Sequence, residues 1–362
     1  MMTHEYNLLR RVLKERSGIE FSVDQIDLVE AKLRPLLTEF EFPSFAHLML
    51  ALTKPSAGHL RSRVAQSVAV LESYFFWDKT PFNYFNDIML PRLMARRRAS
   101  RRIRIWCAAA ANGQEPYSLA MLVAEASQKL AGWTVEIVAT DFSEAALLRA
   151  KAGTYSQFEV QRGLPVSLLI KYFQKASRGW QIKPEIRAKV AFHEHNLLDD
   201  CQDLGTFDII FCRNVMIYFD QFLKGAVLGR LAGQLASDGY LMLGAAETTT
   251  GLSPDFMPVP ELHHGIFCFT PAAAERAEEA ASRRRQSKLD KSDNRPSAGG
   301  GTGVSAAEGK GRAVELDGET ADLLEARAKA RGLSVAKLLA EFALSEDSSP
   351  DWLAQRFMAA VG

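Results

Sequence analysis

Apolar residues fall at helical spacing in YNLLRRVLKERSG, DQIDLVEAKLRPLLTEF and FAHLMLALT, which predicts a helical amino-terminal domain over residues 1–80. From Ile103 the pattern changes to short apolar runs alternating with helical stretches: RIRIWC, a helix from about 115 to 130, TVEIVATD, SEAALLRAKAG, VAFHEHNL, FDIIFCRN, a helix from about 221 to 237, and GYLMLG. Alternation of this kind predicts a doubly wound α/β domain with a parallel sheet over residues 81–271. Within it, residues 153–190 break the rhythm and read as a small β-rich insertion. Residues 272–312 are rich in Ala, Gly, Ser and mixed charge, carry almost no large apolar side chains, and read as a flexible linker. Residues 313–345 return to a strand, helix, helix pattern too short to enclose a core alone, so dimerisation is expected there, with a tail over 346–362.

One stretch raises a chemical question. In RIRIWCAAAANGQEPYSL, residues 102–119, a strand empties itself of side chains just before a helix begins. That is where open α/β sheets bind ligands, since bare backbone at a helix amino terminus can press against a nucleotide-like group. The loop has a single glycine, Gly113, and so lacks the G-x-G-x-x-G of dinucleotide domains. No G-x-x-x-x-G-K-[ST] loop for a nucleoside triphosphate occurs either. A cofactor without a pyrophosphate fits better, and S-adenosylmethionine is one. The second strand ends in Asp141, placed either to accept hydrogen bonds from a ribose diol or to cap the following helix.

Composition narrows the class. With 47% apolar and 24% charged residues the chain is an ordinary globular protein, and a formal net charge of +1 argues against bulk attraction to nucleic acid or membrane. Cys107, Cys201, Cys212 and Cys268 lack metal-ligand spacing and read as reduced thiols, so no metal is expected. No apolar run is long enough to span a bilayer and the start has no signal-like core, which predicts a cytoplasmic location.

The motifs RIWCAAAANGQEPYSLAM, VATDFSEAALLRAKAGTYS, HNLL, FDIIFCRNVMIYFD and GYLMLGAAET, preceded by ESYFFWDKTPF, resemble in order and spacing the CheR-type chemotaxis receptor methyltransferases. The resemblance covers nearly all of the chain to about residue 270. It implies a Rossmann-like fold and a protein-glutamate O-methyltransferase that uses S-adenosylmethionine to esterify glutamates on the cytoplasmic helices of chemoreceptors. It also implies Tyr218 as the active-site tyrosine, Glu115 at the cofactor's amino group, Asp141 at its ribose, Asn196 and Leu197 near adenine, and Arg213 and Asn214 at the pocket floor. Ser73 and Trp77 fall at cofactor-facing positions. Read without the resemblance, Glu115 is a first-turn acid favoured by the helix dipole, and Tyr218 an aromatic packing at a strand's end. Arg10, Arg11, Lys14, Lys32, Arg34, Arg61 and Arg63 match the family's basic helical domain.

The sequence departs from the family pattern in three places. Leu71 stands for an asparagine, Trp77 for an arginine whose fork a tryptophan cannot supply, and Ala111-Asn112 for Ser-Thr or Ala-Thr. Two readings follow: an active enzyme in which the Trp77 ring lies near a sulfonium, or a degenerate domain kept as a receptor-binding scaffold. The 313–345 segment looks like a ribbon-helix-helix module. Its outward strand residues Ala313, Glu315 and Asp317 disfavour DNA, which leaves homodimerisation as the reading.

Overall fold

The computed structural model describes residues 2–262 and 265–293, with side chains to residue 283. The 313–345 module, the proposed dimer it would form, the 346–362 tail and the linker beyond 293 lie outside the described residues.

Five parallel strands form the centre of a seven-stranded sheet: β1 (Arg102–Ala108), β2 (Thr134–Asp141), β6 (Val190–Glu194), β7 (Phe207–Cys212) and β8 (Leu235–Leu243). Two short antiparallel strands, β9 (Phe256–Pro258) and β10 (Ile266–Phe269), extend one edge and give the order β6-β2-β1-β7-β8-β10-β9. Successive residues of each strand feed opposite cores. Ile103, Ile105 and Cys107 of β1 join one apolar cluster and Trp106 and Ala108 the other, while Ile209 and Phe211 of β7 face Ile210 and Cys212 in the same way. A sheet buried on both faces needs such continuous apolar strands, which is why RIRIWC and FDIIFC carry so little polar alternation.

From β1 the chain winds outward to β2 and β6, then crosses back to β7 and β8. The order therefore reverses between β1 and β7. Crevices form at such a reversal, beyond the carboxyl ends of the strands.

The amino-terminal helices are α1 (Thr3–Ser17), α2 (Ile26–Glu39), α3 (Phe45–Leu52) and α4 (Gly58–Val68), sharing a core of Tyr6, Leu9, Leu13, Leu33, Leu48 and Val64. They end at Val68, earlier than the expected boundary at 80. Residues 69–79 have no regular secondary structure apart from turns, and α5 (Thr80–Tyr84), a π-helical turn over Phe85–Met89 and α6 (Leu90–Arg96) follow. The central domain adds α7 (Gln114–Glu125), shorter than the expected 115–130, and α8 (Glu144–Ala152), with α12 (Gln221–Gln234) before β8.

The insertion is less β-rich than its sequence suggests. Its three-stranded sheet, β3 (Thr154–Tyr155), β4 (Phe173–Ala176) and β5 (Gly179–Ile182), is matched by short helices α9 (Gln157–Gln161), α10 (Val166–Tyr172) and α11 (Pro184–Arg187). The expected linker also requires correction, because its first part is helix α13 (Pro271–Asp293). Ala273, Ala274 and Ala277 make a small-residue face that packs with Phe267 and Phe269. Close approach through alanine stands in for the large apolar side chains whose absence suggested a linker.

The insertion is seated on the segment before α5. Gly163 has φ +80°, and a Cβ there would lie 2.1 Å from the Phe75 carbonyl oxygen. Gly163→Ala is expected to lower stability by about 2–4 kcal/mol, from combined left-handed strain and backbone collision, measurable by urea denaturation.

Candidate active site

A cleft lies at the β1/β7 reversal. It is lined by Ala109–Ala111 after β1, Asp141 and Phe142 after β2, His195–Leu197 after β6, Arg213–Val215, Tyr218 and Phe219 after β7, the 69–74 segment with Trp77, and Ser17 and Ile19 from the end of α1. All nine residues singled out from the sequence, Ser73, Trp77, Glu115, Asp141, Asn196, Leu197, Arg213, Asn214 and Tyr218, line this one cleft.

Backbone strain is concentrated there. Of seven non-glycine residues with positive φ among the described residues, five (Phe76, Asp78, Ala109, Ala111 and Asn214) lie on or beside the lining segments. Such conformations cost about 1–3 kcal/mol each and persist where surrounding contacts impose them. The alanine loop is imposed by the end of β2: Ala110 N–H donates to the Thr140 carbonyl at 2.8 Å, and Ala111 N–H to Asp141 Oδ2 at 2.8 Å. Gly113, at φ +89°, completes the turn where a Cβ would meet the Ala150 Cβ at 2.9 Å. The string of small residues is thus what lets β1 reverse tightly into α7 while leaving its backbone open to the cleft.

Two carboxylates are buried in the walls. Glu115, in the first turn of α7, accepts a hydrogen bond from Arg213 Nη1 at 3.0 Å. Burial pushes its carboxyl above the usual range, and the Arg213 guanidinium pulls it back. Asp141 is likewise raised by burial, partly offset by the N–H groups of Ser143 and Ala111. Asp141 does not cap α8 itself: Ser143 does, with Oγ accepting from Ala146 N–H, and Asp141 Oδ1 holds the Ser143 N–H at 2.8 Å. Desolvated carboxylates facing a cleft suit a ligand that brings cationic and hydroxyl groups to them. With apolar walls from Ile19, Leu197 and Phe219, this donor set fits S-adenosylmethionine, whose ammonium, sulfonium and ribose diol supply those groups.

The positions at which the sequence departs from the family pattern work through their main chains. Arg213 Nη2 donates to the carbonyl of Trp77 at 3.1 Å, and Asn112 Nδ2 donates to the carbonyl of Leu71 at 3.0 Å. Neither bond depends on the side chain at 71 or 77, and Asn112 itself makes the second. The Trp77 ring stacks on Tyr74 with centroids 3.9 Å apart, and the Arg162 guanidinium lies 3.7 Å from the Tyr74 ring centre. At those separations the two groups must occupy opposite faces of the ring. Arg162 also pairs with Glu72 at 3.0 Å, so the insertion is tied to the cleft wall.

Some contacts were not legible in the motifs. The Asn196 side chain is engaged with the protein: Nδ2 donates to the Arg16 carbonyl at 2.7 Å, docking the end of α1, and Oδ1 accepts from Leu198 N–H. Gln66 Nε2 makes a second tie, to the Phe142 carbonyl at 2.8 Å. Glu247 organises the loop that carries Tyr218. Its Oε2 accepts from Asn214 and Gly244 N–H and its Oε1 from Val215 and Ile217 N–H, at 2.6–3.2 Å. The quoted GAAET motif contains this residue, but only its three-dimensional reach shows the role. Burial, with Glu72 and Glu247 nearby, raises the Tyr218 phenol, so it is a neutral hydrogen-bond donor at pH 7.

A family model described as CheR methyltransferase, SAM binding domain, matches residues 71–263, a span that holds most of the residues lining this cleft. The chain belongs to the CheR methyltransferase family. A chemotaxis protein methyltransferase of Vibrio parahaemolyticus is 37% identical over 255 residues, 70% of this chain and 92% of that protein. Chemotaxis protein methyltransferase 1 of Pseudomonas aeruginosa is 37% identical over 266 residues, 72% of this chain and 96% of that protein. A relative from Borreliella burgdorferi, also a chemotaxis protein methyltransferase, is 31% identical over 252 residues. In this CheR protein the described residues contain no cluster of three or more His, Cys, Asp or Glu able to hold a metal, and no helix long and apolar enough to cross a membrane.

Proposed function

We propose that the protein transfers the methyl group of S-adenosylmethionine to glutamate side chains on the cytoplasmic helices of chemoreceptors, forming methyl esters. One observation carries the reading: a CheR domain gathers the buried Glu115–Arg213 pair, Asp141 and a protonated Tyr218 around one cleft. A cytoplasmic location, where the receptor helices lie, is part of the same proposal.

The chemistry asks little of acid–base groups. A glutamate carboxylate, with a reference pKa of about 4.3, is already ionised at pH 7 and attacks without a general base. When bound, the cofactor supplies a methyl carbon activated by a sulfonium. The residues position and exclude water. Glu115, held by Arg213, would accept from the cofactor's amino group and Asp141 from its ribose diol, and Leu197 would pack near its adenine. Tyr218 lines the cleft, where its hydroxyl would orient the reacting carboxylate, so that catalysis rests on alignment.

The scaffold alternative is not favoured: the relatives matched are chemotaxis protein methyltransferases, and the hydrogen bonds at 71 and 77 run through carbonyls that the changed side chains leave in place. The test is transfer of labelled methyl from S-adenosylmethionine to a receptor cytoplasmic fragment. We expect label released as methanol by alkali and abolished when the accepting glutamates are changed to glutamine, with Tyr218→Phe about 10- to 100-fold slower. Absence of label, or an alkali-stable product, would overturn the reading.

A further inference from the structure

The rim of the cleft is apolar in a way that cofactor binding does not use. Phe222, in the first turn of α12, is 88% exposed, and Ile217 and Val70 are 46% and 48% exposed. Val70 lines the cleft, and Ile217 and Phe222 bracket Tyr218 and Phe219, which also line it. The loop that displays them is fixed. Ile217 N–H is held by Glu247, and Asp220 caps α12 through Leu223 N–H while pairing with Lys14 of α1 at 2.9 Å. A large side chain held outward on a rigid loop is built for contact.

Cations lie around it. Lys14 is already paired with Asp220 and with Glu20, while Arg11, one turn earlier on α1, is exposed. Arg11 has no ion-pair partner among the described residues. A polypeptide that brings a glutamate to Tyr218 must cross this rim. An acidic amphipathic helix meets both halves of it, its apolar stripe on Phe222 and Ile217 and its carboxylates toward the cations.

We propose that Phe222, with Ile217 and Val70, forms the docking rim for the methyl-accepting helix and determines affinity for that substrate without touching the reacting atoms. This rests on the function proposed above, but its test does not require turnover. Binding of a receptor cytoplasmic fragment to the full-length protein saturated with the demethylated cofactor is measured by calorimetry for the unmodified chain, Phe222→Ser and Phe222→Leu. The receptor KM is measured in parallel.

We expect Phe222→Ser to weaken fragment binding and raise KM about tenfold, with kcat, cofactor Kd and thermal stability unchanged, and Phe222→Leu to retain most of the affinity. Equal fragment binding by the unmodified protein and Phe222→Ser would overturn the proposal. So would an equal loss of cofactor affinity, or a change confined to self-association in sedimentation, which would mark a second copy of the chain as the occupant. If the fragment binds with this Phe222 dependence yet no methyl is transferred, the proposed function fails and the docking rim stands. If methyl is transferred with no Phe222 dependence, the reverse holds.

Discussion

Replacing Arg213 with methionine is expected to destabilise the fold by about 3–5 kcal/mol at pH 7 and to abolish binding of S-adenosylmethionine. The Arg213 side chain is only 3% exposed, and its guanidinium spans Glu115 at 3.0 Å and the Trp77 carbonyl at 3.1 Å. Methionine fills much of the volume, so the cost arises from leaving a buried carboxylate without its counter-charge. The pH dependence gives the mechanism a signature. Burial already raises the Glu115 carboxyl, and Arg213 is the opposing influence, so its removal moves the folded-state value further up. Over the interval between the unfolded and folded values the native state then holds the extra proton, and stability falls as pH rises. The deficit relative to the unmodified protein should therefore shrink on moving from pH 7 toward pH 5. Urea denaturation at the two pH values measures it. Adding Glu115→Gln to the variant should recover part of the lost stability but none of the cofactor binding, because the amide removes the buried charge that would also pair with the cofactor's ammonium. A stability deficit that is independent of pH would show that packing, and not the ion pair, sets the cost.

The sheet was legible because burial on both faces leaves little freedom. Strands such as FDIIFC must be apolar throughout, and the cleft must lie where their order reverses. The small-residue loop after β1 was legible for a related reason, since a tight reversal held by Asp141 tolerates little bulk. What escaped were features fixed by partners distant in sequence. Helix α13 reads as a linker because alanine packing has no signature until the opposing Phe267 and Phe269 are in view. Asn196 lines the cleft as its motif suggests, but that its side chain also docks α1 through Arg16, a contact across 180 positions, has no signature in the motif. The departures at Leu71 and Trp77 look damaging when only side chains are compared; their carbonyls, which every residue type possesses, carry the hydrogen bonds. Motifs record side-chain identity, and here part of the site is built from backbone.

The same distinction explains why Glu247 should rank with Tyr218 in effect. Four backbone N–H groups, from Asn214, Val215, Ile217 and Gly244, converge on one carboxylate, which fixes the β7 loop against the end of β8. Gly244 allows the approach: a Cβ there would stand 2.8 Å from both Glu247 Oε2 and Asn214 Nδ2. In Glu247→Gln the side chain keeps its shape, but one oxygen becomes an NH2 group that cannot accept, so two of the four N–H groups face a donor. Hydrogen bonds to a charged acceptor contribute about 1.5–3 kcal/mol each, and water can replace some of that at the cleft. We expect a stability loss of about 2–4 kcal/mol and a fall in turnover on the order of 10²-fold, because Tyr218 follows Ile217 directly and a displacement of about 1 Å is enough to spoil in-line transfer. Hydrogen exchange locates the cause. The Val215 and Ile217 amides should exchange faster in the variant while the β1 and β2 amides keep their protection. Uniform acceleration across the sheet would mean that Glu247 supports the whole fold and has no particular hold on the catalytic loop.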